Sequence, residues 1–183
     1  MELDNYILVK VIEKVISNPN KAYSVRSLSR ELKISSASSK NALDYMKEKK
    51  LVTLKTIGRT YQYKADLNNY LCRHWKILFN LNEIDNSKVV EQFIKEFENI
   101  HSILLYGSYA KGTNDSKSDI DFLVIVQKKK KINLNFINTL KKEANVSILT
   151  FEEWKDKARN NKIFYENVIY DSIVLHGERP VVL

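Results

Sequence analysis

Residues 102–126 read Ser102-Ile-Leu-Leu-Tyr-Gly-Ser-Tyr-Ala-Lys-Gly-Thr-Asn-Asp-Ser-Lys-Ser-Asp-Ile-Asp-Phe-Leu-Val-Ile-Val126, and they predict a strand, a tight turn, a loop and a second strand. The first apolar run, residues 103–105, is followed closely by Gly107 and Ser108. Glycine lets the backbone approach a phosphate closely, and a serine there is typical of a helix start whose N–H groups face an anion. The pattern therefore predicts an anion-binding turn between two buried strands.

Two acids, Asp119 and Asp121, stand at the start of the second apolar run. Residues two apart in a strand share a face, so both carboxylates project to the same side while Ile120 points into the core. Adjacent carboxylates repel each other unless a cation lies between them. Mg²⁺ favours such oxygen ligands together with substrate phosphates. The sequence thus predicts a site for Mg²⁺ (or Mn²⁺) at Asp119 and Asp121.

The spacing of Gly107-Ser108, ten residues and Asp119-Ile-Asp121 resembles the signature of the DNA polymerase β-like nucleotidyltransferase superfamily in its minimal form. Three more residues fit the wording Gly-Ser-x-Ala-x-Gly and Ser-Asp-x-Asp: Ala110, Gly112 and Ser118. The resemblance implies transfer of a nucleotidyl group from an NTP to a hydroxyl of protein, RNA or a small molecule by a two-metal route. It implies catalytic and metal-binding roles for the two acids. It also implies nucleotide-binding roles for Gly107, Ser108 and Lys111.

The chain departs from that family at the expected third carboxylate, which there acts as a base or a metal ligand. The strand predicted at residues 145–149 carries Asn145 and Ser147 instead. Glu143 and, less plausibly, the loop residue Asp115 are candidates to replace the missing acid. Three interpretations stay open: an active transferase with an unusual base, a domain that binds NTP and metal without turnover, and a degenerate domain in a DNA-binding regulator or antitoxin.

The first 65 residues have the element order of a winged helix-turn-helix. Helical spacing predicts helices from Leu3 to Ile16, over residues 25–32 and over residues 36–49, followed by strands at 51–55 and 60–64. This order resembles the winged-helix family and implies a recognition helix in a DNA major groove, with a wing against phosphates. The residues implied in these contacts are Ser35, Ser36, Ser38, Ser39, Lys40, Lys55, Arg59 and Lys64. The alternative is a winged helix used for protein contacts or dimerisation.

The charge of the chain is uneven. The net charge is +8, and residues 1–65 hold 13 Lys and Arg against 6 Asp and Glu, whereas residues 66–183 hold 17 against 16. A basic small domain favours DNA or RNA as partner. The single cysteine, Cys72, excludes an internal disulfide and is predicted to be a small buried hydrophobe. No apolar run has the length of a membrane span, which predicts a cytoplasmic protein without a membrane partner.

The predicted fold is α+β, with a winged helix-turn-helix at 1–65, a helical connector at 66–85 and a minimal nucleotidyltransferase domain at 86–183. That last domain is predicted to hold a mixed sheet flanked by helices. Further helices are predicted at residues 66–80, 86–99, 132–144 and 164–170, with another that begins near Phe151 after a Thr150 cap. The predicted partners are an NTP, DNA (or RNA), a toxin or other protein chain, and a second copy of this chain.

Overall fold

The structure is a computed structural model, and it describes residues 6–97 and 99–182. The chain forms two compact units, one that runs to Phe79 and one that begins at Asn80. Leu3, from which the first predicted helix starts, lies outside the described residues. Within those residues, no helix is both long and apolar enough to cross a membrane.

The first unit contains helices followed by an antiparallel hairpin. Its elements are α1 (Ile7–Ile16), α2 (Val25–Leu32), α3 (Ser36–Glu48), β1 (Val52–Ile57), β2 (Thr60–Ala65) and the first part of α4 (Tyr70–Ser87). Serine caps fix where two of the helices begin. The Ser24 hydroxyl accepts from the N–H of Ser27 at 3.1 Å, and the Ser35 hydroxyl accepts from the N–H of Ser38 at 3.0 Å. Both helices begin where the sequence predicts.

Apolar side chains from these elements form one core. It includes Val11, Val15, Leu28, Leu43, Met46, Leu51 and Cys72, all fully buried. Burial raises the pKa of the Cys72 thiol to about 11, so the prediction of a buried hydrophobe is confirmed. Ala37, which the helical spacing predicts to face inward, is exposed.

The second unit is built on a mixed sheet. Its strands are β3 (Ile100–Tyr106), β4 (Ile120–Val126), β5 (Ala144–Thr150) and β6 (Ile173–Gly177). Over the part of the chain that the structure describes, the strand order is β5-β4-β3-β6. β3 is antiparallel to β4 and β6, whereas β4 and β5 are parallel. The register places Asp121 between Tyr106 on one side and Asn145 on the other.

Helices and turns cover both faces of this sheet. They are α5 (Val89–Glu96), α6 (Gly107–Lys111), α7 (Phe151–Asn160) and α8 (Lys162–Asp171). Phe93 of α5 packs with one set of strand residues, while Trp154 of α7 and Val168 of α8 pack with the other set. The α+β class and the mixed sheet flanked by helices are therefore confirmed. The predicted Thr150 cap of α7 is also present, since the Thr150 hydroxyl accepts from the N–H of Glu153.

The helix predicted over residues 132–144 is wrong. That segment holds only a 3₁₀ turn, Asn135–Thr139. Its polar side chains bond to the local backbone: the Asn133 carboxamide oxygen accepts from the N–H of Asn135 at 2.9 Å. The Thr139 hydroxyl lies 2.8 Å from the Phe136 carbonyl. Such side-chain bonds compete with a helical ladder, so the apolar spacing here buries side chains without forming a helix.

Candidate functional site

The candidate site lies where β4 begins. Asp119 directly precedes this strand and Asp121 is its second residue. The Asn145 side-chain amide nitrogen lies 3.1 Å from Asp121 Oδ1 and 3.4 Å from Asp119 Oδ2. Both carboxylates therefore reach one point on the same sheet face, as the strand period requires. The amide N–H groups at that point stabilise the two carboxylates by hydrogen bonding, although they carry no net charge.

Gly107 brings the turn against this pair of acids. Its φ is +73°, and a Cβ built there would lie 2.4 Å from Asp121 Oδ2. Only a residue without a side chain permits that approach and that backbone conformation together. The sequence predicts that this glycine lets the backbone approach a phosphate; the close approach in the structure is to the Asp121 carboxylate.

The remaining predicted nucleotide-binding residues belong to α6. The helix begins at Gly107, one residue earlier than predicted, and Ser108 is half-buried in its first turn. The Ser108 carbonyl accepts from the N–H of Thr113 at 3.0 Å, which folds the chain back after the helix. The Lys111 ammonium lies 2.7 Å from the Asp171 carboxylate, and both side chains are more than 40% exposed, at 44% and 41%. A phosphate would therefore compete with Asp171 for Lys111.

A buried amide pair holds the loop between the turn and Asp119. The Asn80 amide nitrogen donates to the Tyr109 carbonyl and to the Asn114 Oδ1, both at 2.9 Å, and Asn114 donates back to Asn80 Oδ1 at 3.2 Å. Both asparagines are at most 5% exposed. Buried amides are costly unless bonded, so this pair fixes the loop. Sequence reasoning missed both residues; the available signal was an asparagine within an apolar helical stripe.

Tyr106 forms one wall of the site, beside Asp121 in the strand register. Burial raises the pKa of its phenol, a hydrogen bond with Ser147 lowers it, and the Asp121 charge raises it. The net direction is upward. Tyr106 and Ser147 therefore stay neutral at physiological pH and add hydrogen-bonding groups without charge.

Neither candidate replacement for the third acid joins the pair. Across residues 6–97 and 99–182, no three Asp, Glu, His or Cys side chains converge as a metal-binding group. Asp115 Oδ1 instead accepts from the N–H of Lys117 at 2.9 Å and from the Ser118 hydroxyl at 3.2 Å. Glu143 is exposed, and its carbonyl accepts from the N–H of Ile120 at 2.9 Å.

The predicted nucleic-acid contacts of the first unit differ in exposure. The exposed ones are Ser35, Ser36, Lys40, Lys55, Arg59 and Lys64. Lys40 is paired with Asp44 at 2.6 Å. Ser38 is half-buried, with its hydroxyl 2.8 Å from that of Ser35. Ser39 has no exposed surface, so we exclude it from any contact surface.

Residues 88–178 match the model of the family described as polymerase beta, nucleotidyltransferase. The matched stretch contains the whole turn, both aspartates and Asn145. It is therefore similar in sequence to the class of transferases that the residue pattern indicates. No curated protein matches the chain.

A solved structure from Sulfolobus solfataricus, provisionally described as a nucleotidyltransferase, is similar to part of the chain. It is 19% identical, covers 58% of this chain and 87% of its own, and has a TM-score of 0.38. A likeness at that TM-score carries no argument about this protein.

Proposed function

We propose that the second unit is a nucleotidyltransferase domain that binds an NTP with Mg²⁺ (or Mn²⁺) through Asp119 and Asp121. The observation that carries the proposal is the convergence of both carboxylates on one point, beside a turn held against Asp121 at Gly107. The family match over residues 88–178 supports the same class of ligand. Ser108 and Lys111 supply a hydroxyl and an ammonium for the phosphates.

The donor set fits one divalent ion. Two carboxylates on one face meet at the Asn145 amide, and a flip of that amide would present its oxygen in place of its nitrogen. Substrate phosphates complete such a coordination shell. When bound, the ion supplies positive charge that holds phosphate oxygens. A second ion lacks a third charged ligand here, because Asn145 occupies the facing position on β5.

In the proposed transfer, an acceptor hydroxyl oxygen forms a bond to the α-phosphorus of the NTP, and pyrophosphate leaves. The hydroxyl proton needs a base, which neutral Asn145 does not provide. Among the described residues, Asp119 and Asp121 are the only acids at the point of convergence, and they also face the ion. We therefore propose that the domain binds NTP and metal even where it transfers the nucleotidyl group slowly. Turnover is then weak or depends on a specific acceptor.

A groove of about 510 Å³ extends from Asn145 along the segment that leads into β5. It is lined by residues between Ile137 and Asn145. Its volume suits a small-molecule site. We propose that it receives the part of the substrate beyond the phosphates.

Calorimetric titration with ATP, CTP and GTP, each with Mg²⁺ and with EDTA, tests the proposal. We expect metal-dependent binding by the wild type and loss of its metal-dependent part in the Asp119→Asn, Asp121→Asn double variant. Ser108→Ala is expected to weaken binding less, since backbone donors stay in place. The Glu152→Gln, Asp156→Asn double variant, which changes two exposed acids on α7, is the matched charge control. A wild type without metal-dependent binding of any NTP would refute the proposed site.

A second candidate function is a regulator or antitoxin in which this domain does not turn over. The neutral Asn145 at the position facing Asp121 favours it. In that role, the first unit would bind DNA (or RNA), and a toxin chain or a second copy would be the protein partner. We propose nucleic-acid binding by the first unit under either candidate, since the exposed lysines and arginine lie on α3 and the hairpin.

A further inference from the structure

We infer that Lys142 is a positioning residue for Asp119, acting through the turn formed by residues 115–118. The inference rests on the proposed function, since it concerns the same metal-dependent site. Lys142 lies in the segment before β5 and is half-buried. Its ammonium donates to the carbonyl of Ser116 and lies 3.5 Å from the carbonyl of Asp115.

The turn itself is a closed set of hydrogen bonds. The N–H of Asp115 donates to the Ser118 hydroxyl at 2.9 Å, and the N–H of Lys117 donates to Asp115 Oδ1 at 2.9 Å. These bonds give the turn its shape but do not attach it to the sheet. Asp119 follows it directly, so any movement of the turn moves the first of the two carboxylates.

Besides the Asn145 amide at its carboxylate, contacts on either side of Asp119 hold the backbone in place. The Asn80–Asn114 pair holds the chain before the turn, and the N–H of Ile120 donates to the Glu143 carbonyl at 2.9 Å after it. Lys142 supplies the attachment in between, on the turn itself. Because Lys142 lies shortly before β5 and Asn145 is the second residue of that strand, the ammonium fixes the turn relative to the amide that both carboxylates reach.

The positive charge of the ammonium strengthens its hydrogen bonds to the turn. A lysine carries three donors, and two peptide carbonyls are acceptors that a charged donor binds more strongly than a neutral one does. An uncharged side chain of similar length would leave these carbonyls to water. The expected consequence is a looser turn and a less well-placed Asp119, with the sheet unaffected.

The test compares Lys142→Met with Lys142→Arg, which restores a charged donor, and with Lys157→Met, an exposed change on α7 that removes the same charge outside the groove. The first readout is amide hydrogen exchange at Asp115, Lys117 and Ser118 without nucleotide. We expect about tenfold faster exchange in Lys142→Met, the effect of a lost charged hydrogen bond. Exchange at Ile120, whose bond lies in the sheet, should be unchanged.

The second readout is the ratio of ATP affinity with Mn²⁺ to ATP affinity with EDTA. We expect Lys142→Met to lower this ratio about tenfold through the same loss, Lys142→Arg to restore it and Lys157→Met to leave it unchanged. A general structural defect would lower both affinities together. If Lys142→Met does not fold, Lys142→Gln replaces it in both measurements.

The outcomes separate the two proposals. Wild-type protein without Mn²⁺-dependent ATP binding overturns the proposed function, while the exchange rates still decide whether Lys142 fixes the turn. Unchanged exchange in Lys142→Met overturns the inference about the turn. Faster exchange with an unchanged affinity ratio overturns the inference that the turn positions Asp119.

Discussion

At the scale of single residues, Gly107 sets the geometry of the site. It combines a left-handed backbone with a Cβ position that Asp121 occupies to within 2.4 Å. Gly58, at the tip of the hairpin, has a similar φ of +58° but open space around its Cβ position. An alanine at Gly58 therefore measures the cost of the left-handed conformation alone, whereas an alanine at Gly107 adds the cost of the clash with Asp121.

We expect Gly107→Ala to abolish metal-dependent nucleotide binding, because the new methyl group must displace the Asp121 carboxylate. Gly58→Ala should carry only the cost of the left-handed conformation, about 1–2 kcal/mol, and should keep binding intact. Calorimetric titration with Mg²⁺–ATP, together with denaturant unfolding of both variants, measures the two effects. Equal binding by both variants would show that the contact at Gly107 does not matter.

Asn145 is the residue that most limits the chemistry. A carboxylate there would face Asp121 across the parallel strands and give the site a third acid. We expect Asn145→Asp to destabilise the metal-free second unit by about 1 kcal/mol, since like charges opposite each other in a sheet repel. Mg²⁺ should reverse this loss and raise the melting temperature more than in the wild type, because the ion then has three charged ligands.

Thermal melting with Mg²⁺ and with EDTA measures this difference, and Asn167→Asp on the exposed side of α8 is the charge control. The same variant tests the role of the missing base. If label transfer from NTP to cell components increases in Asn145→Asp, the neutral residue is what limits turnover. A Mg²⁺ response no larger than that of the wild type would argue against an ion between these strands.

At the scale of elements, the sequence predicted the strands around the site well. β3 and β4 are short apolar runs with clear ends at Gly107 and Asp119, and both were placed correctly. The cap at Thr150 was likewise predicted, because an N-cap needs a particular side chain at one position.

The secondary-structure predictions are wrong where hydrogen bonds from side chains, rather than apolar periodicity, determine the backbone conformation. Residues 132–144 have apolar spacing typical of a helix, yet Asn133 and Thr139 bond to local backbone groups and leave only a 3₁₀ turn. The helix predicted at residues 66–80 instead spans Tyr70–Ser87, so it begins and ends later than predicted. The Asn80–Asn114 pair joins residues 34 positions apart, and a single sequence carries no record of such contacts.

At the scale of the whole molecule, the charge separates along the chain. Residues 1–65 hold 13 Lys and Arg against 6 Asp and Glu, while the remainder is nearly balanced at 17 against 16. Ion pairs engage some of these lysines, as at Lys40–Asp44 and at Lys21–Glu31, but they leave the excess of positive charge unchanged. Lys55, Arg59 and Lys64 lie exposed on the hairpin. The hairpin is therefore the part of the first unit where we expect the strongest electrostatic attraction for nucleic-acid phosphates.

We expect the full chain to bind duplex DNA with an affinity that falls steeply with salt, since each neutralised phosphate contributes a slope near ~0.9. Arg59→Ala should weaken binding to all sequences alike and reduce the slope by about 1. Ser38→Ala should change sequence preference instead, whereas the buried Ser39→Ala should change neither. Fluorescence anisotropy across a salt series, with DNA and RNA duplexes, measures these quantities. A chain that binds neither at low salt contradicts the nucleic-acid proposal.

The control for this experiment is the Asp119→Asn, Asp121→Asn double variant, which lies in the other unit and removes two negative charges. If each unit binds its own ligand independently, the double variant keeps the wild-type salt slope while its metal-dependent NTP binding is lost. In cells, preserved repression or partner binding in Asp121→Asn would favour the regulator without turnover, since that role needs no metal. Loss of function on this single change would instead show that the function needs the metal-dependent site. Asp121 is remote in sequence from every proposed nucleic-acid contact, so the change would not act through those contacts.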